Sequence, residues 1–108
     1  MGHARKEDIE LARELKIGLG QKMGIRDFRL FGSRARGTSD RDSDMDIYIE
    51  VESLTREQRR LINDVAWQVG LTKDVVIAPV VVTSERLHRS PFKATTLYRA
   101  IVEEGMEL

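Results

Sequence analysis

The sequence predicts an α+β domain: a small mixed sheet of about three strands with helices mainly on one face, in the order α-β-β-α-β-α. Three observations predict this fold. The length of 108 residues suits a single domain, and a hydrophobic fraction of 41% supports a packed core. Apolar residues recur at helical spacing in some segments and at strand spacing in others. We therefore interpret residues 1–108 as one domain and expect residues 1–5 to be disordered or tag-derived.

Three segments have helical patterns. The first covers residues 6–23. The second follows a capping box formed by Thr55 and Gln58 and ends at Gly70. The third covers residues 90–104 and opens with a Ser-Pro pair, which is typical of a capped helix start. In the first segment the apolar residues recur every fourth position, at Leu11, Leu15, Leu19 and Met23.

Three segments have strand patterns. Residues 25–31 alternate roughly, and residues 44–51 alternate clearly between apolar and polar side chains. Residues 74–78 do not alternate, which predicts a strand that is buried on both faces and central in the sheet. Pro79 is expected to end that strand, because proline cannot donate to the sheet.

Composition excludes several classes of function. Lys and Arg total 18 and Asp and Glu total 18, so a protein that binds nucleic acid through its phosphates is disfavoured. The chain has no cysteine, which excludes disulfide scaffolds, thiol nucleophiles and cysteine-ligated zinc. The longest apolar run, residues 75–82, is far shorter than the roughly 20 residues of a membrane helix. We expect a cytosolic protein.

The most informative polar residues are Asp44 and Asp46. They are two apart on a predicted strand, so their carboxylates share a face at a spacing of about 7 Å. Two ionised carboxylates this close repel each other unless a cation lies between them. Oxygen ligands of this kind suit Mg²⁺, and two such ions can assist an in-line displacement at phosphorus.

A second motif lies upstream, where the first strand runs into Gly32 and Ser33. Glycine lets a phosphate approach the backbone, and the serine hydroxyl with its neighbouring amides can bond phosphate oxygens. Arg34 and Arg36 are candidate charged donors to a triphosphate. Either motif alone is more often a plain turn or a solvated strand face, whereas the two in this order are far more specific.

Aspartates recur at every second position of residues 40–46, as at the start of a calcium-binding EF-hand loop, but the rest of the loop pattern is not met. Counted from Asp40, an EF-hand loop needs Gly at its sixth position and Glu at its twelfth. Those positions hold Met45 and Val51.

The segment 31–37, its ten-residue spacing from Ser33 to the Asp44–Asp46 region and the strand that follows resemble the signature of the DNA polymerase β-type nucleotidyltransferase superfamily. The short chain resembles its minimal nucleotidyltransferase branch. The resemblance implies that Gly32 and Ser33 hold a triphosphate and that Asp44 and Asp46 bind two Mg²⁺ ions. It also implies a third carboxylate on a later strand, for which Asp74 is the candidate. As the alternative, Asp74 is a strand-entry residue paired with Lys73 or Arg86.

The same resemblance implies an activity and a partner. A hydroxyl would attack the α-phosphate of a nucleoside triphosphate, with ATP as the donor by analogy, and pyrophosphate would leave. Proteins of this branch commonly pair with a HEPN-type ribonuclease toxin, which implies an antitoxin that adenylylates a tyrosine of its toxin. Two alternatives remain open: a catalytically silent antitoxin that acts by binding alone, and a nucleic-acid-binding accessory protein, which the zero net charge disfavours.

Overall fold

A computed structural model describes residues 3–108, and the expectation of disorder at residues 1 and 2 lies outside this part of the chain. The long elements follow the predicted order. They are α1 (Lys6–Gly20), β1 (Ile25–Phe31), β2 (Met45–Val51), α3 (Arg56–Leu71), β3 (Ile77–Thr83) and α5 (Thr96–Glu104). Short elements lie between or after them: α2 (Ser33–Arg36), α4 (Ser84–Arg89), a 3-10 helix (Pro91–Ala94) and β4 (Met106–Glu107). Of these, α4 and β4 were not predicted.

The strands form one mixed sheet in the order β3-β2-β1-β4. β1 is antiparallel to both β2 and β4, whereas β2 and β3 are parallel. The parallel pair requires a crossover, and α3 supplies it, as parallel neighbours need. The sheet thus has four strands in place of about three, because the two residues of β4 pair with Arg29 and Leu30.

The third strand differs most from its prediction. It begins at Ile77 rather than Asp74, continues through Pro79 and ends at Thr83, and it lies at an edge of the sheet rather than in the centre. Pro79 is tolerated there because an edge strand has one side on which no ladder hydrogen bond is required. The lack of alternation reflects apolar contacts on both faces, not a central place.

Two apolar clusters lie on opposite faces of the sheet. The larger one packs α1 and α3 against alternate strand residues such as Met45, Ile47 and Ile49. The smaller one brings Ile101 of α5 onto the opposite face; its buried members are Phe31, Tyr48, Val82 and Ile101. The two long helices therefore share one face, as predicted, while the last helix covers part of the other.

The helix ends follow local capping chemistry. The predicted box is present: Thr55 Oγ1 accepts from the Gln58 amide at 3.1 Å, and Gln58 Oε1 accepts from the Thr55 amide at 2.9 Å. The helix predicted for residues 90–104 is divided in two, because Ser90 caps the 3-10 helix and Thr95, with extended backbone, caps α5.

The first described residues belong to the fold. Ala4 packs against the larger cluster, and the Arg5 guanidinium donates to Ser39 Oγ at 3.0 Å and to the Ser39 carbonyl at 2.9 Å. Within residues 3–108, every helix is too short or too polar to span a lipid bilayer.

Candidate active site

The glycine–serine turn and the Asp44–Asp46 pair meet at one end of the sheet. In the β1–β2 pairing Phe31, the last residue of β1, lies opposite Asp46. Gly32 follows immediately and has φ +76°, a conformation that side chains with a Cβ rarely adopt. A Cβ on Gly32 would also collide with Asp46 Oδ2. The backbone therefore favours glycine here, and any side chain at this position would displace the Asp46 carboxylate.

Beyond Gly32 the chain makes a single turn of helix, α2. The amides of Ala35 and Arg36 donate to the Gly32 carbonyl at 3.1 Å each, and Gly37 ends the turn with φ +74°. Ser33 is half-buried at the first position of α2 and directly follows Gly32, which lies beside Asp46, so its hydroxyl and the first amides of the turn belong to the same end of the sheet. These are groups that can bond phosphate oxygens.

The two carboxylates differ in environment. Asp44 is exposed just before β2, and Asp46 is half-buried within it. Burial raises the pKa of Asp46, the neighbouring charge of Asp44 raises this pKa further, and Arg36 opposes both effects. The interaction shows that Asp44, Asp46 and Arg36 lie within electrostatic reach of one another, and the unfavourable part of it is what a bound cation would relieve.

Arg34 has a role different from the predicted phosphate contact. Its guanidinium is buried and bonds Asp8 Oδ1 at 2.8 Å across an ion pair whose side chains are 6% and 5% exposed. The same group donates to the Ser43 carbonyl from Nε at 3.0 Å and from Nη2 at 2.8 Å. Because Ser43 directly precedes Asp44, these hydrogen bonds of Arg34 link the backbone next to Asp44 to Asp8 of α1.

Arg36 remains accessible at the site. Its side chain is 46% exposed and bonds Glu104 of α5 at 2.7 Å. This ion pair is solvent-exposed and hence weak, so a phosphate could compete for the guanidinium.

Other residues on the face of Asp46 are already engaged. Tyr48 is 1% exposed and packs edge-on against Tyr98, and burial raises the pKa of its hydroxyl. Glu50 accepts a hydrogen bond from Ser84 Oγ at 2.7 Å. Asp46 lies beyond these two residues, at the end of the face next to the Gly32 turn.

The structure does not bring Asp74 to Asp44 and Asp46. Asp74 lies in the turn between α3 and β3 with φ +56°. It lines a cleft of about 260 Å³ with residues that include Asp8, Asp40 and Lys73, whereas Asp44 and Asp46 are not among the lining residues. Across residues 3–108, His, Cys, Asp and Glu side chains form no group of three or more able to hold a metal ion.

The donor set therefore fits a cation only in part. Two carboxylates at the start of one strand, Asp44 just before it and Asp46 within it, suit a single Mg²⁺ whose shell would be completed by phosphate oxygens and waters. The three-carboxylate site for two ions, which the resemblance implied, is not assembled by the described residues.

Two residues of the site were missed by the sequence analysis. Asp8 lies at a buried position of α1 in register with Leu11, Ala12 and Leu15. A carboxylate on an apolar stripe is a detectable signal of a buried ion pair, since such charges are rarely buried unpaired. Glu104 gave no such signal, because its contact with Arg36 joins residues 68 positions apart.

Comparison with known proteins places this geometry in a family. Residues 12–105 match the family described as "Nucleotidyltransferase domain". The chain is 33% identical over 78 residues to a protein of Methanocaldococcus jannaschii named "Putative protein adenylyltransferase MJ0141", covering 69% of this chain and 79% of that protein.

Two solved structures share the fold. One, described as a toxin-antitoxin with AMP-PNP, has a TM-score of 0.61 at 24% identity. The match covers 87% of this chain and 69% of the chain in that structure. The other, a mutant of the toxin-antitoxin MntA-HpeT, has a TM-score of 0.56 at 22% identity, with coverages of 94% and 68%. The family match extends over most of the chain and includes the glycine–serine turn and the Asp44–Asp46 pair, so the predicted resemblance is confirmed: this chain belongs to the nucleotidyltransferase domain family.

Proposed function

We propose that this chain transfers AMP from ATP to a hydroxyl group of a partner protein. The observation that carries the proposal is the placement of Gly32 directly beside Asp46, which brings a phosphate-binding turn and a pair of carboxylates to one point. The relative from M. jannaschii, whose name is that of a protein adenylyltransferase, supports this choice of reaction.

Each residue would have a defined part in the reaction. The Ser33 hydroxyl and the amides of α2 hold the triphosphate, with Arg36 as a charged donor at the exposed rim. Asp44 and Asp46 bind Mg²⁺, which when present neutralises phosphate charge. Arg34 keeps Asp44 in place through the Ser43 carbonyl.

The reaction itself forms one bond and breaks one. The acceptor oxygen bonds to the α-phosphorus, the bond to the β,γ-diphosphate breaks, and pyrophosphate leaves. Holding the triphosphate at the Gly32–Asp46 junction fixes the α-phosphorus for in-line attack, so positioning and charge neutralisation supply most of the rate.

For the partner we propose a HEPN-type ribonuclease toxin, with this chain as its antitoxin in the cytosol. Both solved structures that share the fold are described as toxin-antitoxin assemblies, one of them with AMP-PNP. Their identity to this chain is low, so they support the kind of partner and not its identity.

The test is transfer of label. The protein is mixed with the toxin encoded beside its gene, Mg²⁺ and ATP labelled at the α-phosphate, and the toxin is analysed by gel and mass spectrometry. We expect an AMP adduct on the toxin, lost in Asp44→Asn and in Asp46→Asn. Arg89→Gln, an exposed change on α4, is the matched control that should retain transfer.

The alternative is a silent antitoxin, favoured by the placement of Asp74 away from the acidic pair. Cell growth under toxin expression separates the two functions. Neutralisation that survives both Asp→Asn substitutions, without any adduct on the toxin, would establish binding alone.

A further inference from the structure

The strand β3, which pairs with β2, places no acidic side chain beside Asp46. In the parallel β2–β3 pairing Asp46 lies beside Ala78, and Tyr48 lies beside Val80. Residues at paired positions of neighbouring strands point to the same face of a sheet. The side chain closest in register to the Asp46 carboxylate on β3 is therefore a methyl group, and residues 77–83 contain no Asp or Glu.

Asp74 does not compensate for this methyl group. It precedes β3 by three residues, its backbone is left-handed rather than extended, and it lines a cleft shared with Asp8 and Asp40. The part of the chain that the structure covers has no third His, Cys, Asp or Glu positioned to complete a metal site with Asp44 and Asp46.

We propose that Ala78 leaves one ligand position of the cation site without a protein side chain, so that this chain holds one divalent ion with Asp44 and Asp46 at the start of β2 and no carboxylate from β3. Phosphate oxygens of the nucleotide and waters would complete the shell of the ion, as is usual for Mg²⁺ in a site of few carboxylates. The inference rests on the proposed function for its nucleotide and deepens that site.

The open position also determines where a proton goes. When the acceptor oxygen bonds to the α-phosphorus and pyrophosphate leaves, the hydroxyl proton needs a base. Because β3 presents a methyl group beside Asp46, it supplies no carboxylate to take this proton, and the proton passes to solvent. Without such a base, the chain with ATP alone should form AMP very slowly.

The test places a side chain at position 78 and compares a charged variant with an uncharged variant of the same size. Ala78→Asp adds a carboxylate, and Ala78→Asn adds an uncharged side chain of the same shape; Ala78 is only half-buried, so both can be accommodated. Mn²⁺ binding without nucleotide is measured by the loss of the free-ion resonance signal. We expect wild type and Ala78→Asn to bind at most one ion weakly, and Ala78→Asp to bind about ten-fold more tightly, since ligand charge sets affinity.

Equal Mn²⁺ affinity of the Asp and Asn variants would overturn the proposal, as would two tightly bound ions in the wild type. If Ala78→Asp does not fold, Ala78→Glu against Ala78→Gln gives the same comparison. A second readout is AMP formation from ATP without partner, which should rise in Ala78→Asp above Ala78→Asn.

These outcomes are distinct from those of the proposed function. Tighter Mn²⁺ binding in Ala78→Asp, with no label on the toxin from the wild type, supports the open site and refutes the transfer. Label on the toxin, with equal Mn²⁺ affinity in the two variants, supports the transfer and refutes the open site.

Discussion

Arg34 shows how a residue chosen for chemistry can prove to be structural. Its guanidinium bonds Asp8 and the Ser43 carbonyl inside the protein, and its side chain is only 6% exposed. A charge buried to this degree is tolerated only with its partners in place. The position of the Asp44–Asp46 pair therefore depends on an ion pair that is buried inside the protein.

Removing this arginine should be costly. We expect Arg34→Met to lower the free energy of unfolding by about 3–5 kcal/mol, because Asp8 is left as a buried charge without its partner. Arg89→Met, which removes an ion pair whose side chains are 80% and 71% exposed, should change it by no more than about 1 kcal/mol. Urea denaturation measures both, and similar costs for the two variants would contradict a stabilising role for the buried pair.

Asp46 makes stability depend on pH. Its pKa is raised in the folded protein, first by burial and then by Asp44, so its contribution to stability is complete at acidic pH and is lost as pH rises through the folded pKa. In the presence of a chelator, Asp46→Asn should therefore become more stable relative to wild type as pH rises above about 4, the ordinary pKa of an aspartate carboxyl. Thermal melts across this range measure the difference, and a difference that does not change with pH would contradict the assigned environment.

The helix α5 is held to the sheet by few side chains. Ile101 is its only buried residue and packs with Phe31, Tyr48 and Val82, while Val102 beside it is 47% exposed. The cluster lies on the face of Asp46, and Glu104 at the end of α5 bonds Arg36. The last helix thus covers the part of this face around Tyr48, and its end lies next to the candidate site.

A neighbouring pair of substitutions tests this anchoring. Ile101→Ala should lower the free energy of unfolding by about 2–4 kcal/mol, because it removes buried methyl groups and leaves a cavity. Val102→Ala, one residue away, should cost less than about 1 kcal/mol since its side chain is largely in solvent. Denaturation curves separate the two, and a small cost for Ile101→Ala would mean that α5 contributes little to the fold.

The elements that the sequence predicted well are those with local causes. The capping box of Thr55 and the alternation of residues 45–51 depend on neighbours in the chain, and both are confirmed. The edge position of β3 and the short strand β4 depend on pairing between distant segments, for which the sequence carries no local signal. The predicted single helix over residues 90–104 is interrupted at Thr95, because this residue has an extended backbone and caps α5 with its side chain.

The same division holds for the candidate site. Gly32 and Asp46 could be named from the sequence, because residues 32–44 join two strands that pair side by side and so bring the ends of this segment together. The burial of Arg34 and the position of Asp74 depend on how α1 and the α3–β3 turn pack against that loop. Spacing therefore predicts which residues approach each other across one loop, and fails where a third segment decides.

For the whole molecule, a nucleotide that binds only the folded state should stabilise it. At about 100 times the dissociation constant, ATP with Mg²⁺ contributes about 2.7 kcal/mol, enough to raise the Tm of a chain of this size by roughly 10 °C or more. We expect this rise in the wild type and a much smaller one in Asp44→Asn, which removes a cation ligand from the open side of the site.

Asp74→Asn is the matched comparison, because the substitution is isosteric and asparagine tolerates the left-handed backbone of this turn. Since Asp74 lines a cleft whose lining residues do not include Asp44, the Asp74→Asn variant should keep the full rise in Tm with ATP and Mg²⁺. A loss equal to that of Asp44→Asn would mean that the turn before β3 closes onto the nucleotide, and Asp74 would then be the third carboxylate that the family resemblance implied.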